Sequence, residues 1–395
     1  MIAVTGLGVI SSLGNSIEIN RQALIRGDSG LGSLELFETV YAKQLTFGEI
    51  KTNNSELMHR LGLMNKNITR TTLLALNAVL ECLENSGLST KEIQSSDTAL
   101  VVGNTVGGMC LTDELFEDAN RKTKGSPYVT QYDCGAVTLF LQDHFGIKGI
   151  CNTINTACSS SSNAIMYGAR LIENGLAKRV IVGGVDSLSK FTINGFNALG
   201  ILAADKCKPF DKDRNGLNLG EGAGFMLLEK SDGSLKRKIY AKLSGYCNSN
   251  DAFHPSSLSE EGVGPALAMT GALKKAKINP HQIGYINTHG TGTQNNDEVE
   301  SNAMLRVFTK VPDFASTKSK IGHTLGGSAA IEAVFTVLAV HHQEVYPSLG
   351  FACPIETTGL SPLLGYKKQA LEHVMANSFG FGGNCSSLVF SKNIV

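Results

Sequence analysis

Asn155-Thr-Ala-Cys-Ser-Ser-Ser-Ser-Asn163 leads into Ala164, Ile165, Gly168, Leu171 and Ile172, apolar or small residues at helical spacing, and Asn174-Gly175 supplies a stop. The chain then enters Arg179-Val-Ile-Val182, a β-branched run that reads as a strand. Ile2-Ala-Val-Thr5, Ala99-Leu-Val-Val102 and Tyr285-Ile-Asn287 are similar short runs, set apart by helical segments. Strands alternating with helices predict an α/β fold.

Working outward, two glycine-rich turns each precede an apolar strand: Gly220-Glu-Gly-Ala-Gly224 before Phe225-Met-Leu-Leu228, and Phe379-Gly-Phe-Gly-Gly383 before Ser387-Leu-Val-Phe390. The recurrence suggests a duplicated unit. Glu229-Lys-Ser-Asp-Gly-Ser-Leu-Lys-Arg-Lys238 is polar and charged, with no core for those charges to face, and reads as the junction. It divides an N-terminal half, residues 1–230, from a C-terminal half, residues 239–395. A chain of 395 residues is long enough to bury a core in each.

Thirty-five basic residues match 35 acidic ones, so no overall field draws the chain to nucleic acid or to anionic lipid, and neither is expected as a partner. Any electrostatic docking must be local. The nine cysteines form no CxxC pair and no metal-ligand spacing, and read as reduced cytosolic thiols. The N-terminus lacks the basic and apolar regions of a signal peptide, and the longest apolar runs, such as Ala333 to Val340, are too short to cross a bilayer. A cytoplasmic protein without a membrane partner is expected.

Cys158 is the strongest chemical feature. A thiol at the mouth of a helix meets free N–H groups and the positive end of the helix dipole, which predicts a lowered thiol pKa. Its small neighbours leave room for a bulky group. Alone, such a cysteine is more often a buried small hydrophobe. Two histidines shift that balance. His289 stands in Asn287-Thr-His-Gly-Thr-Gly-Thr293 directly after a strand, and His323 in Ser316-Thr-Lys-Ser-Lys-Ile-Gly-His-Thr-Leu-Gly-Gly327. Both occupy loops rich in glycine and hydroxyls, where side chains can converge on a pocket. The other seven histidines lack such a setting. One cysteine and two histidines could also hold a metal, but no short paired-ligand spacing or HExxH is present, and no metal is expected. Gly6-Leu-Gly8-Val-Ile-Ser11 is not a dinucleotide fingerprint, because Ser11 stands where the third glycine belongs, and it reads as a strand-to-helix turn.

Taken together, Thr156-Ala-Cys158, the run from Lys208 to Gly224, His289-Gly-Thr-Gly-Thr293, Ser316-Thr-Lys-Ser319 and Gly322-His323 resemble the β-ketoacyl-acyl-carrier-protein synthases, most of all the ketosynthase II type. The resemblance covers nearly the whole chain. It implies the thiolase fold, a five-layered αβαβα arrangement of two similar halves, and a homodimer. It also implies that Cys158 accepts an acyl group as a thioester while His289 and His323 act on malonyl-acyl carrier protein. By the same carry-over Lys318 and Glu332 support the second histidine, and Thr291 and Thr293 contact the pantetheine arm. Phe381 becomes a gate whose N–H joins that of Cys158 in an oxyanion hole, and Val106 a wall of the acyl pocket. No cofactor is implied beyond the phosphopantetheine that carries the substrates. Acyl carrier protein is the implied partner, with Arg121, Lys122, Lys124, Lys206 and Lys208 as its basic rim.

Three departures stand out: Ser161 in place of a glycine, Gln294 in place of a proline, and a short segment between Gly200 and Lys208. The short segment is similar to that of aryl polyene and flexirubin ketosynthases, which implies a specialised chain and leaves room for a chain-length-factor-like second subunit. Other readings fit less well. A biosynthetic thiolase uses a second cysteine before its terminal glycine turn, whereas Cys385 follows it. A chain-length factor itself typically lacks the nucleophile that Cys158 supplies. A nicotinamide oxidoreductase needs the fingerprint that Ser11 breaks.

Overall fold

Strands buried on both faces need uninterrupted apolar runs, and the sequence supplies them: every residue from Ile2 to Ile10 and from Thr98 to Gly103 is buried. The computed structural model describes residues 1–63, 68–231, 233 and 235–393. Its first half comprises β1 (Ile2–Ile10), α1 (Arg70–Ser86), β2 (Thr98–Gly103), α2 (Gly135–Phe145), β3 (Cys151–Ile154), α3 (Ser160–Glu173), β4 (Arg179–Asp186) and β5 (Gly222–Lys230). The second comprises β6 (Ala241–Asn250), α4 (Val263–Ala276), β7 (Ile283–Asn287), α5 (Gln294–Val307), β8 (Asp313–Ala315), α6 (Ser328–His342), β9 (His373–Phe379) and β10 (Asn384–Ser391).

The strands of the first half follow the order β3-β2-β4-β5-β1, those of the second β8-β7-β9-β10-β6. In both, the first three are mutually parallel and the last two alternate in direction. The sets join where β1 meets β6 through Ile2↔Leu243, Ala3↔Lys242 and Val4↔Ala241. The central helices α3 and α6 touch each other, with α3 against β4 and β2 and α6 against β5 and β9. Outside them, α1 and α2 cover the first sheet, and α4, with α5 packed upon it, covers the second. This gives the five layers expected of the thiolase fold.

Three local expectations are corrected. Gly6 and Gly8 are not a turn but part of β1, where a Cβ on Gly8 would sit 1.9 Å from the Ala78 carbonyl of α1; the glycines let helix and strand approach. In the inferred junction, Glu229 belongs to β5 and is buried, accepting from Thr5 Oγ1 and pairing with Arg179 and Arg237. Asp232 and Ser234 of that junction lie outside the described residues. Finally, Leu325–His342 is long and apolar enough to cross a membrane, yet 89% of it is buried inside the fold, where α6 is the central-layer helix.

Candidate functional site

Cys158 sits between the end of β3 and the first turn of α3. Ala157 before it holds a left-handed φ of 53°, an uncommon conformation for a residue with a Cβ. Hydroxyls fix this bend. Ser160 Oγ accepts the Thr156 N–H at 2.9 Å and donates to the Ala157 carbonyl at 2.5 Å, while Ser378 Oγ donates to the Cys158 carbonyl at 3.0 Å.

The His289 loop is held from below. The carboxylate of Glu300 accepts the N–H groups of His289 and Gly290 at 2.9 and 2.8 Å, and that of Asp297 accepts those of Thr291 and Gly292. Both acids lie on α5, three residues apart, fully buried on its core face. Their energetic role follows from burial: without them, four backbone donors would lose their partners. Desolvation pushes the Glu300 carboxyl up to about 7 and that of Asp297 upward. Sequence reading missed both; the signal was two acids spaced i, i+3 along a stripe that also carries Val299, Ala303 and Met304.

The geometry assigns the imidazole tautomers. His323 Nδ1 accepts the Leu325 N–H at 2.9 Å, so its ring proton is on Nε2. Lys318 Nζ lies 3.2 Å from His289 Nδ1 and donates to the His289 carbonyl at 2.8 Å and to Glu332 Oε1 at 2.5 Å. Its three N–H groups thus have three acceptors, and His289 likewise presents Nε2–H. Desolvation, reinforced by the positive charge of Lys318, holds both histidines well below the ordinary value of 6.5, so they are neutral. The rings meet edge to face with centroids 5.4 Å apart.

Cys158, His289 and His323 converge: one donor atom from each lies within 4.8 Å of the others, and all three line a cavity of about 400 Å³. Thr291, Thr293 and Phe381 line it too, as do Gln294, Leu199, Gly200 and Ile201. The Phe381 ring stacks on Phe196 at 6.0 Å, and its backbone N–H favours the charged form of the Cys158 thiol. Lys318 and Glu332, expected beside His323, stand instead behind His289, where Lys318 Nζ meets the ring nitrogen and the carbonyl; both are 1% exposed. A metal ion is a poor fit here. Metal-bound histidines normally turn their second nitrogen to an acceptor, whereas His289 faces a lysine ammonium.

Several expected placements differ. Burial pushes the Cys158 thiol up, outweighing the Phe381 N–H, the Lys318 charge and its own N–H, so the helix mouth does not lower its pKa on balance. Val106 is not among the cavity-lining residues; it is buried with Leu188, Ile193, Leu217 and Leu325, one layer behind them. Ser161 is no pocket residue either, being fully buried between α3 and α6, where its Oγ accepts the Ala330 N–H at 2.9 Å. Cys385 lies outside the cavity lining, 0% exposed, donating to the Gly383 carbonyl. In the basic rim, Arg121 pairs with Glu117 and Lys122 with Asp118, which balances them locally, whereas Lys124, Lys206 and Lys208 are exposed.

Comparison with known proteins matches residues 1–233 to the beta-ketoacyl synthase N-terminal domain and residues 240–352 to the corresponding C-terminal domain. The 3-oxoacyl-[acyl-carrier-protein] synthase 2 of Vibrio cholerae is 34% identical over 415 aligned residues, covering 99% of each chain. Among solved structures, the ishigamide ketosynthase/chain length factor matches with a TM-score of 0.91 at 26% identity, over 100% of this chain and 99% of that one. The ketosynthase ApeO, solved in complex with its chain length factor ApeC from Xenorhabdus doucetiae, matches at 0.84 and 30% identity, over 99% of this chain and 98% of its own. Two family domains in sequence order, one fold throughout and full-length likeness to a curated synthase place this chain in the beta-ketoacyl synthase family.

Proposed function

We propose that this chain is a β-ketoacyl-acyl-carrier-protein synthase, performing decarboxylative condensation in fatty-acid or type II polyketide biosynthesis. The observation that carries the reading is one thiol and two neutral imidazoles converging within 4.8 Å at one cavity. Cys158 Sγ attacks the acyl thioester and its proton passes to the departing pantetheine thiol. Malonyl thioester then loses carbon dioxide, and His289 and His323 donate Nε2–H to the enolate oxygen that develops. The enolate carbon attacks the Cys158 thioester, whose oxyanion accepts the N–H groups of Cys158 and Phe381. Collapse expels the Cys158 thiolate, which takes up a proton, and leaves the β-ketoacyl product on the carrier. Lys318 and Glu332 fix the ring of His289, and Thr291 and Thr293 meet the pantetheine arm.

In this reading the substrates arrive on phosphopantetheine and no other cofactor takes part. Residues 1–230 form the half with the nucleophile and residues 239–395 the half with the histidines. The partners are acyl carrier protein and a second subunit, either another copy or a chain-length-factor-like chain, in the cytoplasm. Labelled acyl-carrier protein should mark Cys158 alone, and Cys158→Ala should abolish labelling and condensation; an adduct at Cys207 or Cys385 would sink the assignment.

A second reading concerns the chain itself: a conjugated or aryl-primed acyl group in place of a saturated one. Leu199, Gly200 and Ile201, which open the short segment, line the cavity, as does Gln294. Ser161, buried between helices, gives this reading no support. Comparing kcat/KM for saturated and conjugated thioesters decides it, with a ratio of about 10–200-fold expected from apolar-pocket discrimination.

A further inference from the structure

Asp186 closes β4 and is fully buried, away from the cavity, yet its carboxylate holds two loops at once. On one side Oδ1 accepts the Val106 N–H at 2.8 Å and the Asn104 amide at 3.0 Å, and Oδ2 accepts Thr105 Oγ1 at 2.5 Å. On the other, Oδ2 accepts the Gly326 N–H at 2.6 Å. The second loop is the turn whose preceding N–H, that of Leu325, caps His323 Nδ1. Leu325 itself holds a left-handed φ of 53°, which a residue with a Cβ adopts only when its surroundings impose it. The fit at Gly326 is close: a Cβ there would stand 2.8 Å from Asp186 Oδ2 and 2.8 Å from Thr105 Cγ2. The two loops are therefore packed against each other and bound to one group.

We propose that Asp186 is a positioning residue that sets, together, the Val106 layer behind the acyl cavity and the Leu325 turn that fixes the tautomer of His323. The inference rests on the role given to His323 above. Asp186→Asn keeps the size of the side chain but turns one acceptor into an NH2 group that faces backbone or hydroxyl donors. Moving the Leu325 N–H releases His323 Nδ1, and the ring can then turn its unprotonated nitrogen toward the enolate. Moving the Val106 loop changes the depth available to an acyl chain. Thr105→Val removes one bond, that of the Thr105 hydroxyl, and only on the acyl side.

The test measures malonyl-acyl-carrier-protein decarboxylation by enzyme alkylated at Cys158, and, on unmodified enzyme, the ratio of Cys158 acylation by long and short acyl thioesters. Asp186→Asn should lower kcat for decarboxylation by about 10–100-fold, short of the full loss of an oxyanion donor. KM for the malonyl substrate should stay nearly unchanged, and the long-to-short ratio should shift. Thr105→Val should shift that ratio while leaving decarboxylation intact. Unchanged kcat and ratio in folded Asp186→Asn, or a fall only in proportion to the fraction of titratable Cys158, overturns the proposal. Should Asp186→Asn not fold, an unchanged ratio in Thr105→Val overturns it. Wild-type enzyme that releases no carbon dioxide would instead refute the condensing function.

Discussion

Replacing Lys320 by Met should stabilise the protein, because Lys318 and Lys320 share one four-residue helix, Lys318–Ile321, and are both buried, but only Lys318 has partners. Lys320 Nζ has no hydrogen bond among the described residues, and the charge that acts on it, Asp28, is already paired with Arg26. Desolvation lowers the Lys320 ammonium from 10.5 to about 8. At about 1.4 kcal/mol per pH unit, that drop corresponds to about 3 kcal/mol. The penalty is fully present below pH 8, where folded and unfolded chains are both charged, and fades as pH rises toward 10.5. Lys320→Met keeps an unbranched stem of similar volume and removes the charge, so it should raise stability by about 1–3 kcal/mol at pH 7. Urea unfolding at pH 7 and again near pH 10 measures the effect, and the gain should shrink at the higher pH. A variant less stable at pH 7, or a gain independent of pH, would refute the reasoning.

Three further expectations concern the site and its rim. His289→Ala and His323→Ala should each lose about 10²–10³ in malonyl decarboxylation while Cys158 still takes up acyl groups, and normal carbon dioxide release from either variant would count against its role. Because both imidazoles stay neutral well below 6.5, neither should add a titration limb to decarboxylation as pH falls through 6.5, and a limb there that persists in Glu300→Gln, which removes the carboxyl near 7, would contradict the assignment. Charge reversal at Lys124 and Lys208 should raise KM for acyl carrier protein, more so at low salt, with little effect on small thioester mimics; equal effects on both substrates would argue against docking.

The layered α/β fold was legible because its determinants are local: β-branched runs, helical periodicity and glycine turns each report on a few neighbouring residues. Cys158, His289 and His323 were legible because each stands in a distinctive loop motif. What the sequence concealed depends on contacts distant along the chain. Glu229 looked like linker charge until Arg179, 50 residues before it, supplied a partner. Gly6 and Gly8 looked like a turn, although their reason is the close approach of α1. The expected lowering of the Cys158 thiol failed for the same cause: a helix mouth is visible in sequence, whereas complete burial is a property of the fold, and burial is the larger effect.

That failure bears on how the site works. At its surface the cavity presents a neutral thiol and two neutral imidazoles, while Lys318 and Glu332, paired with each other, are buried behind His289. A cation facing the cavity would grip the malonyl carboxylate and stabilise the ground state that must be lost. Only interactions stronger in the transition state speed the chemical step, and neutral Nε2–H donors meet that condition, since their partner oxygen gains charge as carbon dioxide leaves. The Lys318 charge acts instead through His289 Nδ1, where it fixes the tautomer and keeps the ring from taking up a proton. In the proposed reading the lysine prepares a donor without itself binding the substrate, and its burial behind His289 with acceptors for all three N–H groups agrees with that.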